Sequence, residues 1–210
     1  MAHIERTGRP AATFDAKSSS NLGFLTVVRD ARHGLFGGYL VLNMAGRPVE
    51  FHCSAPIRPN RAQQILYGPT LEPYLFGEQI GKTLVTTGKI KPAVIFTDQE
   101  PALAVREFVS VPVVLVLPPD DESPEVEVRP TSDLGFASQT PTETRRLDAA
   151  HGDGLTAFRL GRNRLATPDL GVDDRRIATD HLGKLPDSFD LAEPFGRIRE
   201  AIEEARRGGT

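Results

Sequence analysis

The chain has 210 residues, a formal net charge of −3, 39% hydrophobic and 25% charged residues. A length of this order buries a real core without staples, and the near-neutral balance gives no global field toward nucleic acid or membrane. A single cysteine excludes an internal disulfide or a cysteine-based zinc site and suits a reducing compartment, the cytoplasm. No signal-peptide core and no membrane-length apolar run stands out in the sequence.

Residues 1–20 are polar and end in Ser18-Ser19-Ser20, which reads as a flexible N-terminal arm. An α/β core domain is expected over 21–119. It opens with three strand candidates, GFLTVVR (23–29), YLVLN (39–43) and PVEFHCS (48–54), with DARHGLFGG (30–38) as a loop that carries His33. A hairpin closed at Ala45-Gly46, with Gly46 at positive φ, makes these an antiparallel meander. That register sets Tyr39 opposite His52 and Val41 opposite Glu50. Strand alternation places Val49, Phe51 and Cys53 on one face and Glu50, His52 and Ser54 on the other. Cys53 and His52 therefore point apart and form no catalytic pair, and Cys53 reads as a small core hydrophobe.

Two helical pieces follow: RAQQILY, ended by Gly68-Pro69, and a longer one from Thr70 as cap to residue 87. Its stripe of Leu71, Leu75, Phe76, Ile80 and Leu84 faces the sheet. Gly77 and Gly81 form a small-residue groove for close intramolecular packing. AVIFTD (93–98), a helix-like stretch and PVVLVLPP (112–119) read as a parallel βαβ unit covered on both faces. The meander and this unit together predict one mixed sheet with helices packed on it.

An acidic, proline-containing linker is expected at 120–130, then a less regular C-terminal region, 131–210. It holds a candidate strand at GLTAFRLG (154–161) and a short helix in GVDDRRIATDHLGKL. A terminal amphipathic helix (190–207) opens on Asp190 and Glu193 as a capping box and closes at Gly208-Gly209. Its narrow stripe of Phe195, Ile198 and Ile202 suits docking onto the chain's own body or a partner.

The sequence carries no phosphate-binding loop, dinucleotide fingerprint, nucleophile elbow or His-Glu-x-x-His helix. Chemistry in an open α/β sheet tends to lie beyond the carboxyl ends of the parallel strands. That edge carries Asp98 and Glu100 after one strand and Asp120 and Asp121 after the next. Clustered carboxylates there suit Mg²⁺ or Mn²⁺, with Arg61, Lys82 or Lys89 as counter-charges, whereas Asp98 alone suits a helix cap. His151 and Asp153, in a glycine-bracketed loop, form a further candidate pair. The absence of motifs favours a non-catalytic protein-binding or regulatory module, a component of a larger bacterial complex, with Phe195, Ile198 and Ile202 as its partner-binding stripe. On that reading no cofactor is expected, nucleic acid and membrane are set aside, and a homo-oligomer is left open. The alternative is a metal-dependent hydrolase of a phosphate-containing substrate, using Asp98, Glu100 and Asp120 with Mg²⁺ or Mn²⁺.

Overall fold

Alternating strand patterns and two helical stripes resolve, in the computed structural model, into a mixed α/β fold described over residues 21–119, 154–168, 174–186 and 188–208. Seven strands form one sheet: β1 (Leu22–Asp30), β2 (Gly34–Leu42), β3 (Pro48–Cys53), β4 (Val94–Thr97), β5 (Val113–Leu117), β6 (Leu155–Leu160) and β7 (Asn163–Pro168). Their order is β3-β2-β1-β4-β5-β7-β6. β1, β2 and β3 are the antiparallel meander, β4 and β5 run parallel to β1, and β7 and β6 return antiparallel on the far side. The C-terminal region thus extends the sheet of the core, and β7 was not among the elements expected from the sequence.

The meander register is the expected one: Tyr39 pairs with His52 and Val41 with Glu50, followed by a shift at Leu42. Gly46 takes φ +72° at the turn. The loop expected through residue 38 is different. β2 begins at Gly34 and runs through the pair Gly37-Gly38 as strand. A side chain on Gly37 would strike Ile80 at 2.1 Å from one face, and one on Gly38 would strike Ile198 at 2.2 Å from the other. These glycines let helices close on both sides of the sheet.

One face is covered by α2 (71–87), which joins Leu71–Pro73, a π-helical Tyr74–Lys82 and Thr83–Thr87, and which is preceded by α1 (Arg61–Tyr67), a helix with no buried residue. A 3-10 crossover helix, Glu100–Glu107, lies beside them. Asn60 and Gln63 form a full capping box on α1, whereas Thr70 gives α2 no side-chain cap and donates to the Tyr67 carbonyl instead. Leu75, Phe76, Ile80 and Leu84 pack with Leu25, Val27, Ile95 and Val105. Gly77 and Gly81 fill the expected role: Cβ atoms there would lie 2.6 Å from Ala104 and 3.0 Å from Val105.

The other face is covered by α3 (Asp174–Leu182) and α4 (Glu193–Gly208). Asp190 opens α4 by accepting from the Ala192 N–H rather than through a capping box. Phe195, Ile198 and Ile202 are 1%, 0% and 2% exposed, packed with Phe24, Leu40 and Phe96. The stripe expected for a partner is therefore spent on the chain's own core. Each such side chain contributes about 1.5–3 kcal/mol, so α4 is a fixed part of the fold.

β3 corrects the reading of Cys53. The alternation holds, but Val49, Phe51 and Cys53 are the exposed residues, and Glu50 and His52 the more covered ones. Ile198 and Ile202 of α4 reach the Gly38 column, yet the edge strand beyond it stays open on that face. The opposite face is closed by the turn after α2, where the Glu50 carboxylate accepts from the backbone N–H groups of Lys89 and Ile90, each at 2.8 Å.

Among the described residues, no helix is long and apolar enough to cross a membrane. The N-terminal arm, the 120–130 linker, Asp120, Asp121, His151 and Asp153 lie outside the described residues.

Candidate functional site

The chain leaves β1 toward β2 on one side and leaves β4 toward β5 on the other, so the carboxyl ends of these parallel neighbours form the switch point of the sheet. β4 pairs with β1 as far as Thr97 with Leu25. One step further along the same register, Asp98 comes beside Thr26. Both continue the face that carries Phe24 and Phe96, toward α4. Thr26 is fully buried, and neither its Oγ1 nor Asp98 Oδ1 has a hydrogen-bond partner among the described residues. Unsatisfied buried oxygens are rare and costly, at about 1–3 kcal/mol each.

Asp98 is not a helix cap. The N-cap position belongs to Gln99, whose side-chain amide serves another purpose. Its Oε1 accepts from the Val27 N–H at 2.8 Å and its Nε2 donates to the Val27 carbonyl at 2.9 Å. The amide thus stands in for a further residue of β4 against β1 and holds the switch point rigid. Asp98 Oδ2 accepts instead from Arg199 of α4. The Asp98 side chain is 17% exposed and that of Arg199 48%.

A second carboxylate–guanidinium pair closes the same end of β1. Asp30 Oδ1 accepts from the N–H groups of Arg32 and His33 at 2.9 and 2.6 Å and from His33 Nδ1 at 2.8 Å, while Oδ2 accepts from Arg206. Burial raises the Asp30 pKa, but the His33 N–H and ring, the Arg32 N–H and the Arg206 charge outweigh it and hold the group at about 2. Arg206 also lies over the Phe36 ring, 5.3 Å from its centroid, inside the roughly 6 Å reach of a cation–π contact. Arg199 and Arg206 lie on α4, so the one helix supplies both counter-charges. Neither was singled out in the sequence. Of the cations that were, Arg61 bonds Gln64 and Lys82 lies over the Phe108 ring, while Lys89 meets Glu50 only through its backbone N–H.

Of the expected acidic edge, Asp98 and Glu100 lie within the described residues and are not brought together. Glu100 turns away from Asp98 into a groove of about 530 Å³ on the α2 side, lined also by Glu72, Glu107, Pro73 and Pro168. Among the described residues no three His, Cys, Asp or Glu side chains come together to hold a metal ion. Mg²⁺ or Mn²⁺ needs about six oxygen ligands, commonly with one or two carboxylates among them. Among the described residues the one carboxylate at the switch point, Asp98, has one oxygen committed to a guanidinium, whose charge opposes a cation. The described residues alone do not complete a site for a divalent ion.

No protein-family model matches the chain, and no curated protein matches it in sequence. Solved structures do match. Endonuclease V of Ciona intestinalis, in complex with a 24mer DNA containing an inosine followed by a ribo-adenosine, aligns at 12% identity and a TM-score of 0.42, over 90% of this chain and 88% of that one. Human ENDOV aligns at 12% and 0.41, over 89% and 85%, and the catalytic domain of human Endonuclease V at 12% and 0.41, over 90% and 85%. These matches run against the expectation of a non-catalytic protein-binding module and complex subunit with nucleic acid set aside, since the matched proteins are endonucleases, one of them in complex with DNA. At this identity and similarity they assign no residue of this chain a role.

Proposed function

We propose that the chain is a hydrolase of a phosphate-containing substrate, with nucleic acid as the substrate class, working at the carboxyl ends of β1 and β4. One observation carries the reading. Asp98 sits at the switch point with Oδ1 buried and unpartnered, beside the equally unpartnered Thr26 Oγ1. A carboxylate oxygen kept without a donor has a lone pair free to take a hydrogen bond, and then a proton, from a water or hydroxyl that gains access to it. Gln99 fixes the backbone on both sides of it. Glu100 belongs to the other face, so Asp98 stands alone as the acidic group of this site among the described residues. The free, exposed Cys53 suits a reducing cytoplasm.

The experiment is turnover of a chromogenic phosphodiester, bis(p-nitrophenyl) phosphate, by the full chain and by Asp98→Asn. The expected result is hydrolysis that Asp98→Asn lowers about 100-fold or more, with the thermal midpoint within the small range expected of a half-exposed ion pair, about 0–1 kcal/mol. Equal turnover by both proteins would remove Asp98 from the chemistry.

A further inference from the structure

We infer that the switch-point site takes the phosphate group of its ligand on the Arg199 guanidinium. This rests on the reading of that edge as a phosphate-ester site. Any site that handles a phosphate ester must oppose its negative charge, and among the described residues the cation beside Asp98 is Arg199. Arg199 is already at the required place. It reaches Asp98 from α4, a helix anchored by Phe195, Ile198 and Ile202 at 0–2% exposure, so its position is set by the core.

The chemistry of the side chain matches the task. A guanidinium has five N–H donors in a planar fork, suited to two oxygens of a phosphate at once. Among the described residues the partner shown for Arg199 is Asp98 alone, and 48% of the side chain is exposed. Its remaining donors face solvent. Asp98 then has two functions on its two oxygens: Oδ2 orients the guanidinium, while Oδ1 stays unpartnered next to Thr26. Arg206 is different. It is held by Asp30 and Glu203 and stacked on Phe36, 26% exposed, and serves to brace the turn between β1 and β2.

The test is binding of inorganic phosphate to the full chain in the presence of EDTA, followed by titration calorimetry, with Arg199→Gln and Arg199→Lys alongside. Phosphate is expected to bind without metal, to bind about tenfold or more weakly to Arg199→Gln, and to bind with intermediate strength to Arg199→Lys, which keeps the charge but loses the fork. The Lys variant keeps the test decisive if the Gln variant does not fold. Phosphate binding that appears only on adding Mg²⁺ or Mn²⁺, or that is the same in Arg199→Gln, would overturn the inference. Metal-free phosphate binding in a protein that hydrolyses no ester would support the inference and sink the hydrolase reading. Ester hydrolysis with phosphate binding unchanged in Arg199→Gln would do the reverse.

Discussion

A methyl group added at Gly38 would sit 2.2 Å from Ile198 Cγ2 and 3.0 Å from Ile202 Cδ1, both on a helix whose core side chains have no room to yield. Gly38→Ala is therefore expected to destabilise the fold by about 1–3 kcal/mol, read as a lower midpoint in urea. An unchanged midpoint would mean that α4 does not press on β2 there. The same residue shows where sequence reading stops. Gly-Gly after Phe36 carries the signature of a loop, and nothing local distinguishes a turn glycine from one emptied for two helices arriving from opposite faces. Cys53 teaches the complementary lesson. Its side of the strand follows from alternation, but which side is covered depends on how far α4 reaches. Its thiol, exposed on β3 beside a groove of about 290 Å³ with Phe36, Ser54 and Arg206, is expected to react with a maleimide in the native protein. Labelling that waits for denaturant would contradict that exposure.

At the scale of elements, two polar contacts do work that apolar burial does not. Asp174, 3% exposed at the start of α3, accepts from Arg106 Nε at 2.6 Å and from Nη2 at 3.1 Å, so the crossover helix is bound to α3. Removing one partner leaves a buried charge, and Asp174→Ala is expected to cost about 3–5 kcal/mol. A loss below about 1 kcal/mol would show the pair to be solvated. Glu50 binds β3 to the turn after α2. The Lys89 N–H, the His52 ring and the Ile90 N–H hold its carboxyl at about 2 against an ordinary 4.5. A folded-state pKa below the unfolded one stabilises above the unfolded value, so this contribution is complete above pH 4.5 and is lost as pH falls toward 2. Between those values the thermal midpoint of the wild type should fall more steeply than that of Glu50→Gln; parallel curves would remove Glu50 from the acid response. The meander register, the βαβ unit and the terminal helix were all legible as elements because each repeats one period over several residues. β7 was not: NRLATP is too short and too polar for alternation to show, and it becomes a strand by pairing between β5 and β6.

For the whole molecule, the class of fold follows from the order of patterns along the chain, and the site does not. Asp98 was visible as an acid ending an apolar strand, which is local. Its neighbours Thr26 and Arg199 are 72 and 101 residues away and meet it only through strand pairing and helix docking, so no spacing rule reveals them. The same docking settles the stripe of Phe195, Ile198 and Ile202, which a sequence reads equally well as a partner surface or a core. Once α4 is fixed, the edge it closes sets two buried, unpartnered oxygens, Thr26 Oγ1 and Asp98 Oδ1, beside the half-exposed Arg199. The central claim is that phosphodiester chemistry happens there. Its most direct measurement is cleavage of end-labelled single- and double-stranded oligonucleotides by the purified full chain and by Asp98→Asn, in parallel. The hydrolase reading requires shorter products from the wild type and intact strands with the variant. Intact strands from a folded wild type, or equal cleavage by both proteins, would contradict it.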